Sequence, residues 1–505
     1  MLKRMEKTGK EKYGSHTEKR MEKTNKQRQK KSLSSFSILF IIIIALTIVS
    51  WFLAGQRFTP TIPSGGTKAV DHVVGAKISD LVMSPFNGFK DAIEICVFIL
   101  VLGGFLNIVT KTGALEAGIQ HVVRKLKGNE LIIIPILMVL FSIGGSTYGM
   151  AEETLPFYAL ITATMVAAGF DTLVAVGTVL LGAGSGVIGS TVNPFATGVA
   201  MDALKSINIQ PNTGVILIIG LILWFTTTLF SIFYMMKYAK KVKADKGSTL
   251  LSLQEQKDME MYFGQDENKE LPFTQKHKLI LSIFSFGFLV MVVSLIPWES
   301  FGVHIFNGWT AFLTGTSFGH WYFGDLAMWF FLMSLVIAVV YGLSEKQTIT
   351  TFIDGVKDIL SVVLIIVVAR GASILMATTH LDLFILDKSA SALQGLSPIL
   401  FVIGAYILYL LLSFLIPSTS VLAYVSIPVM GGIAHNIGLS PDVIVMIFTA
   451  GCGLINLITP TSGVVMGGLE ISKIDYSTWT KFMLKPIIII SLMNLLVLIG
   501  AMLML

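Results

Sequence analysis

Four short polar clusters interrupt long apolar segments of this chain, two in each half of the sequence. Hydroxyl, amide and backbone carbonyl groups in such clusters can bind a small polar solute or Na⁺, and glycine allows the tight turns that they need. Matching interruptions in two halves are typical of the substrate site of a secondary transporter. The candidate binding residues in these clusters are Ser146, Thr147, Ser190, Thr191, Asn193, Ser418, Thr419, Thr459, Thr461 and Ser462, and a Na⁺ ion is a candidate near Ser146, Asn193, Ser418 and Thr461.

Three ionisable residues, Glu152, Glu153 and Arg370, lie in or beside the same apolar segments and complete the candidate site. A charge at the centre of a membrane helix costs roughly 2.5–3.5 kcal/mol on insertion scales, so each should face a partner or a water-filled cavity. Arg370 could bind a substrate carboxylate, and a glutamate a substrate amine or a proton. Alternatively, Arg370 pairs with a glutamate to hold the fold, and the Ser and Thr hydroxyls bond back to their own helices.

The composition is that of an integral membrane protein. The chain has 505 residues, of which 53% are hydrophobic and 13% charged, whereas soluble domains carry about 25% charged residues. The net charge of +6 comes from residues 1–31, which hold 12 Lys or Arg against 4 Glu. This basic tail predicts a cytoplasmic N-terminus rather than a nucleic-acid partner. The tail contains a short internal repeat, which leaves open whether Met1 or Met21 is the true start.

The apolar segments and basic loops predict an all-α fold with about nine membrane spans and two re-entrant hairpins. The arms of the first hairpin, 131–143 and 155–166, are shorter than the roughly 20 residues of a span, and the second hairpin has arms at 399–415 and 424–433. The external loop carries Trp298, Trp309, Trp321 and Tyr322, which are typical of an interfacial aromatic belt. The predicted regions are a basic tail at 1–32, a first span with an external loop at 33–87, a repeat with the first hairpin at 88–238, a cytoplasmic linker at 239–278, two spans with an external loop at 279–352, and a repeat with the second hairpin at 353–505.

The two halves also match residue by residue. Pro156 and Pro428 are separated by 272 positions, as are the Ser-Thr pairs that begin at Ser146 and Ser418. The basic loops place the two repeats on opposite sides of the membrane at their starts, so we expect an inverted pair. In that arrangement, the two hairpin tips meet near the middle of the membrane.

The sequence does not favour an enzyme. It contains no GxxxxGK[ST] phosphate loop and no HExxH motif, and its two cysteines have no metal-ligand spacing. We therefore expect no cofactor, apart from Na⁺ or H⁺ as a coupling ion.

The interrupted segments resemble those of the YfcC-like family, which belongs with the anaerobic C4-dicarboxylate carriers of the ion transporter superfamily. The resemblance covers the chain from about Ser34 to the C-terminus and is carried by residues 145–154 (GSTYGMAEET), 190–198 (STVNPFATG), 369–371 (ARG), 413–420 (SFLIPSTS) and 459–467 (TPTSGVVMG). It implies a scaffold domain and a transport domain, an elevator motion, a homodimer, and a site built from two hairpin tips and two broken helices.

The resemblance leaves the substrate open, since some close relatives exchange arginine and ornithine and the wider group is named for dicarboxylates. An acidic pair at 152–153 opposite one buried arginine, Arg370, fits a substrate that has both a carboxylate and a cationic amine. We therefore expect a basic amino acid antiporter in the plasma membrane. The alternatives are an ion-coupled C4-dicarboxylate transporter, a carrier of peptides, and a membrane sensor that transports nothing.

Overall fold

The computed structural model describes residues 35–61, 68–125, 128–264, 272–296, 298–416 and 418–505. The basic tail at 1–32 and the start at Met21 lie outside these residues. The helices are α1 Ser35–Leu53, α2 Ile78–Asp91, α3 Ile93–Lys111, α4 Ala114–Lys125, α5 Ile133–Tyr148, α6 Leu155–Ala167, α7 Thr172–Gly189, α8 Val199–Ser206, α9 Thr213–Ala244, α10 Leu253–Phe263, α11 Gln275–Leu295, α12 Phe323–Tyr341, α13 Glu345–Thr379, α14 Leu381–Leu393, α15 Pro398–Leu415, α16 Thr419–Asn436, α17 Pro441–Ile455, α18 Gly463–Ile471 and α19 Tyr476–Met504.

Helices dominate the fold, but the prediction of an all-α protein is wrong in one detail. Strands β1, Arg57–Thr61, and β2, Val70–His72, form an antiparallel pair after α1. The sequence signal for this pair was weak because the strands are short and the intervening Pro and Gly residues are typical of a loop.

Ten helices in the described part of the chain are long and apolar enough to cross a membrane, by length and composition. Two of the ten, Glu130–Tyr148 and Pro398–Leu415, contain the first arms of the two predicted hairpins, whereas the helix Pro441–Ile455 in a predicted span is too short to be counted. The first arm continues to Tyr148, since the helix passes through the Gly-Gly-Ser-Thr cluster and ends only at Gly149 in a left-handed conformation (φ 77°). With its leading 3₁₀ turn it has 19 residues, so its length gives no reason for re-entry.

The order of elements recurs in the two halves. A long helical stretch, a shorter helix, two helices joined at a turn, an interrupted helix and a long final helix occur as α2 to α9 and again as α13 to α19. The first interrupted helix is α7 and α8, with a π-helical turn at Pro194–Gly198 between them, and the second is α17 and α18. The inverted relation of the two halves stays a prediction.

Helix α7 lies at the centre of the fold and is buried on all sides. Gly186 packs so closely on α5 that a Cβ atom there would lie 2.0 Å from the Ser142 carbonyl oxygen. Gly145 on α5 packs equally closely on the Ala183 carbonyl oxygen, again at 2.0 Å. Small residues allow such close helix contact in membrane proteins. The glycines of the first polar cluster therefore bring α5 against α7, next to the point where α7 is interrupted.

The predicted linker at 239–278 contains the end of α9 and the helix α10. Ser252 and Glu255 form a capping box at the start of α10. Glu255 is buried and also accepts hydrogen bonds from the Asp475 backbone N–H (2.9 Å) and the Thr478 hydroxyl (3.1 Å). This part of the linker is therefore fixed to the start of α19.

Candidate substrate site

A cavity of about 200 Å³ lies between the two interrupted helices and the two turns that join α5 to α6 and α15 to α16. Its walls come from the α5–α6 connection, the middle of α7, the start of α16, the break between α17 and α18, and the Arg370 region of α13. The polar and charged lining residues are Tyr148, Glu152, Glu153, Thr154, Asn193, Tyr322, Arg370, Ser418, Thr419, Ser420, Asn456, Thr461 and Ser462. A cavity of this volume suits a small solute rather than a macromolecule.

The turn between α5 and α6 is positioned by contact with the break between α7 and α8. Gly149 approaches Asn193 so closely that a Cβ atom there would lie 2.7 Å from the amide nitrogen. Asn193 itself caps the helical turn that follows the break, since its Oδ1 accepts hydrogen bonds from the N–H groups of Phe195 (2.9 Å) and Ala196 (3.3 Å). The side chain of Asn193 therefore organises the break while facing the cavity.

Two hydroxyls hold the end of α5 to the same break. The Ser146 and Thr191 hydroxyl oxygens lie 2.9 Å apart, and the Thr191 hydroxyl is also 3.2 Å from the Ser146 carbonyl oxygen. The second half repeats this feature, because the Thr461 hydroxyl donates to the carbonyl oxygen of Phe414 in the last turn of α15 (2.9 Å). These bonds satisfy backbone groups that lipid could not satisfy.

Arg370 projects from α13 between two acidic residues. Its Nη2 lies 3.7 Å from Oε1 of Glu152, and its Nε lies 4.0 Å from Oδ2 of Asp91 at the end of α2. Helices α2 and α13 approach closely here, since a Cβ atom at Gly88 would lie 2.5 Å from the backbone nitrogen of Gly371. The Arg370 side chain is 19% exposed, and that of Glu152 is 26% exposed. The pair therefore contacts the cavity without being fully sealed in the core.

Glu153 differs from its neighbour in both burial and partners. Glu153 is only 7% exposed, although it lines the cavity. Its Oε2 accepts a hydrogen bond from the Ala151 backbone N–H at 3.0 Å. No cationic side chain pairs with Glu153 among the residues that the structure describes. Glu153 thus faces the cavity without a cationic partner among the described residues, whereas Glu152 pairs with Arg370.

Two helix N-termini reach the cavity from the second half. Ser418 and Thr419 lie at the start of α16, and Ser462 precedes α18 and accepts a hydrogen bond from the Val465 N–H (3.4 Å). The first N–H groups of a helix have no partners within it and carry partial positive charge. These ends can bind a carboxylate group of a solute.

The structure divides the sequence-predicted site residues into two sets. Those that line the cavity are Glu152, Glu153, Asn193, Arg370, Ser418, Thr419, Thr461 and Ser462. Those outside its lining are Ser146, Thr147, Ser190, Thr191 and Thr459. The hydroxyls of this second set bond to nearby backbone or side-chain groups; that of Thr147, for example, bonds back to the Ile143 carbonyl oxygen at 2.8 Å. Their arrangement supports the turns and breaks.

Three residues near the site were not among the sequence candidates. Tyr322, which the sequence predicts to lie in an aromatic belt, lines the cavity, and Asp91 contacts Arg370. Asn456 also lines the cavity, and its Oδ1 is buried without a hydrogen-bond partner among the described residues. Gly184 and Gly453 are equivalent positions of the two repeats, separated by 269 residues, and the same separation makes Asn456 equivalent to Val187. A polar residue in place of an apolar one was therefore a sequence signal for Asn456. For Asp91, the sequence shows only an amphipathic helix.

Comparison with known proteins gives the family of this chain. Residues 33–503 match the family described as C4-dicarboxylate anaerobic carrier, DcuC. The chain belongs to this family. The carrier is also 31% identical over 412 residues to an uncharacterized protein of Haemophilus influenzae, covering 81% of this chain and 75% of that protein. It is 27% identical over 437 residues to YfcC of Escherichia coli, a candidate basic amino acid antiporter by name, covering 83% of this chain and 81% of YfcC.

Two solved structures are similar to this carrier along most of its length. The YdaH transporter of Alcanivorax borkumensis has a TM-score of 0.42 and 15% sequence identity, with 92% of this chain and 97% of YdaH covered. MtrF of Neisseria gonorrhoeae, from a class of antimetabolite efflux pumps, has a TM-score of 0.39 and 17% identity, with 95% and 96% covered.

Family membership confirms the resemblance that the interrupted segments predicted. The protein is a membrane transporter of the DcuC and YfcC type. Its long apolar helices agree with a multi-pass membrane protein. Among the described residues, no group of three or more His, Cys, Asp or Glu side chains could hold a metal ion.

Proposed function

We propose that this carrier is a basic amino acid antiporter that exchanges arginine- or ornithine-type substrates through the cavity at its centre. The observation that carries the proposal is the charge of the site. Glu152, Glu153 and the adjacent Asp91 supply carboxyl groups, whereas Arg370 is the one Lys or Arg among the described residues that line the cavity. An excess of acidic groups attracts a cationic group and repels a second carboxylate.

The two ends of such a substrate would have separate partners. Its guanidinium or ammonium group would bind near Glu152 and Glu153, in competition with Arg370. Its carboxylate would bind the helix N-termini next to Ser418 and Ser462, where partial positive charge favours anions. A cationic group that pairs with Glu152 would leave Arg370 free to approach the substrate carboxylate.

The name of YfcC supports this class of substrate, at 27% identity over most of both chains. Ion-coupled transport of C4-dicarboxylates is the second candidate, which the family description favours. Arg370 and the two helix N-termini are groups that could bind two carboxylates. The two acidic partners of Arg370 argue against that candidate, because a dianion there would compete with the Glu152 and Asp91 carboxylates for a single cation and leave like charges close together.

We propose that the carrier works as the resemblance implies. The α5–α6 and α15–α16 pairs would act as re-entrant hairpins in two inverted repeats, and a transport domain would move by an elevator motion against a scaffold in a homodimer. The N-terminus would lie in the cytoplasm, and Na⁺ or H⁺ would be the coupling ion. The protein would reside in the plasma membrane.

Uptake by proteoliposomes that contain the purified full chain tests the substrate class. Liposomes loaded with unlabelled ornithine, with succinate or with buffer alone are given labelled arginine or labelled succinate, with and without Na⁺. We expect ornithine-loaded liposomes to accumulate more arginine than succinate-loaded or buffer-loaded ones, and we expect none of the three to accumulate succinate. Succinate uptake that depends on Na⁺, without arginine uptake, would favour the second candidate. Protein-free liposomes control for leakage, and an absence of flux for every solute would favour a sensor.

A further inference from the structure

Glu153 is a buried carboxyl group for which the described residues supply no counter-charge. It is 7% exposed, and its Oε2 accepts a hydrogen bond from the Ala151 N–H at 3.0 Å. An ionised carboxylate in this position is costly, since transfer of a charge out of water is repaid only by a paired charge or several hydrogen bonds. The side chain must therefore bind a proton or another cation when the site is closed to water.

The charged and titratable groups around Glu153 do not supply that cation. Those close enough to act on its charge are Tyr148 at the end of α5, the neighbouring Glu152, and Tyr322 before α12. None of these is a cation. Arg370 on α13 lies nearby, but its Nη2 and Nε are directed to Glu152 and Asp91. The arginine thus already has acidic partners, while Glu153 remains available.

We propose that Glu153 binds either a proton or the cationic group of the substrate, and that this exclusive choice makes the proton the coupling ion of the carrier. The inference rests on the proposed function, because it needs a cationic substrate. When the substrate cation approaches, the Glu153 carboxylic acid releases its proton to water in the cavity and the carboxylate pairs with the cation. When the substrate leaves, the carboxylate takes a proton from the same side of the membrane.

Charge neutrality in the cavity links this choice to movement. With either a proton or a substrate cation bound, Glu153 contributes no net charge. The free energy needed to move the site across the membrane is therefore similar for the two forms. The ionised and empty form would carry an uncompensated buried charge. The carrier therefore exchanges one cationic amino acid for another, or one cationic amino acid for a proton.

The first experiment measures arginine and protons together. Proteoliposomes that contain the full chain and a trapped pH-sensitive dye receive an inward arginine gradient, with the membrane potential clamped. We expect arginine uptake to make the lumen alkaline, with protons and arginine moving in a fixed ratio. We also expect the apparent KM for arginine to rise as the pH falls, toward about tenfold per pH unit where proton and substrate compete. Arginine uptake without proton movement would overturn the proposal.

Three substitutions locate the proton site. Glu153→Gln should reduce proton movement to the level of protein-free liposomes and make the remaining arginine uptake independent of pH. Glu152→Gln is the matched control, which should weaken arginine uptake but keep the ratio of protons to arginine. Glu153→Asp keeps an ionisable group and should keep proton movement, which guards against a folding defect in Glu153→Gln. Unchanged proton movement in Glu153→Gln would overturn the proposal.

A spectroscopic measurement separates this inference from the proposed function. If arginine, ornithine and lysine are not transported, the basic amino acid proposal fails, yet the proton site can still be observed. The measurement uses Asp382→Asn as the background, because Asp382 on α14 is another buried carboxyl group. Infrared difference spectra of this purified variant between mildly acidic and mildly alkaline pH should show the carbonyl band of a protonated carboxylic acid, and adding Glu153→Gln should remove the band. If the Asp382→Asn protein shows no such band, or if the band persists when Glu153→Gln is added, Glu153 is not the proton site.

Discussion

Arg370 and Glu152 face each other across the wall of the cavity, with 3.7 Å between Nη2 and Oε1. The pair joins helix α13 to the connection between α5 and α6, and Asp91 lies on the other side of the same guanidinium. Side chains that are 19% and 26% exposed can separate when a charged solute enters. The pair therefore compensates the charge of Glu152 when no solute is bound, and it can exchange partners with the substrate.

Arg370→Ala should abolish or strongly reduce transport while leaving the protein in the membrane. The substitution leaves Glu152 and Asp91 without their cation and removes a group for the substrate carboxylate. We expect at least a tenfold rise in the apparent KM for arginine, equivalent to about 1.4 kcal/mol. The apparent KM is measured by arginine uptake into proteoliposomes that contain equal amounts of the wild-type or variant protein.

Lys357→Ala is the control for the Arg370 substitution, because Lys357 lies on the same helix in an exposed pair with Asp354. Exposed pairs of this kind contribute about 0–1 kcal/mol, so transport should be unchanged. If Arg370→Ala transports arginine as well as Lys357→Ala does, Arg370 has no role in the site.

Ser146→Ala should destabilise the protein more than Thr147→Ala. The Ser146 hydroxyl is buried and bonds across to Thr191, whereas the Thr147 hydroxyl bonds back to its own helix. Loss of a hydrogen bond between elements typically costs about 1 kcal/mol. The thermal midpoint of the detergent-solubilised protein should therefore fall further for Ser146→Ala, and the reverse order would show that the α5 contact with the break is unimportant.

Gly186→Ala should disrupt the contact between α5 and α7, because its methyl group would lie 2.0 Å from the Ser142 carbonyl oxygen. Overpacking of this kind costs typically about 1–3 kcal/mol. The matched control is Gly500→Ala in α19, where no heavy atom lies within 4 Å of the added Cβ and alanine favours the helix by up to about 1 kcal/mol. Thermal unfolding of both variants measures the difference. Equal midpoints would contradict the close packing of α5 on α7.

Two aspartates on α14, which is not among the candidate spans, should affect stability in opposite directions as the pH changes. Burial raises the pKa of Asp382 from 3.8 to about 6. The folded state therefore binds this proton more tightly than the unfolded state, and the contribution of Asp382 to stability is lost as the pH rises from about 4 to about 6. Asp382→Asn should remove this dependence and stabilise the protein near neutral pH by at most about 3 kcal/mol.

Asp387 provides the comparison on the same helix. Its burial acts to raise the pKa, but hydrogen bonds from Thr59 and the nearby Lys388 together lower it. Stability from Asp387 is therefore present above the ordinary pKa of an aspartate and is lost as the pH falls through the lowered value. Asp387→Asn should lower the thermal midpoint at neutral pH and have less effect in acid. The same sign for both variants at neutral pH would contradict these assignments.

The family, the helical membrane fold and several cavity residues could be predicted from the sequence, because polar residues stand out within apolar helices. The end of α5 could not, since the glycines there suggest a break in the helix, whereas Gly145 packs α5 against α7. Asp91 and Tyr322 were missed because their positions depend on how α2 and α12 pack around Arg370. Local patterns do not encode contacts between helices that are distant in the sequence.

The most direct test of the central claim is equilibrium binding of arginine and of succinate to the purified wild-type carrier and to the double variant Glu152→Gln, Glu153→Gln. We predict that the wild-type protein binds arginine in preference to succinate. We also predict that the double variant binds arginine at least about 100-fold more weakly, equivalent to about 2.7 kcal/mol. Preferential binding of succinate by the wild-type protein, or unchanged arginine affinity in the double variant, would contradict an acidic site that selects cationic amino acids.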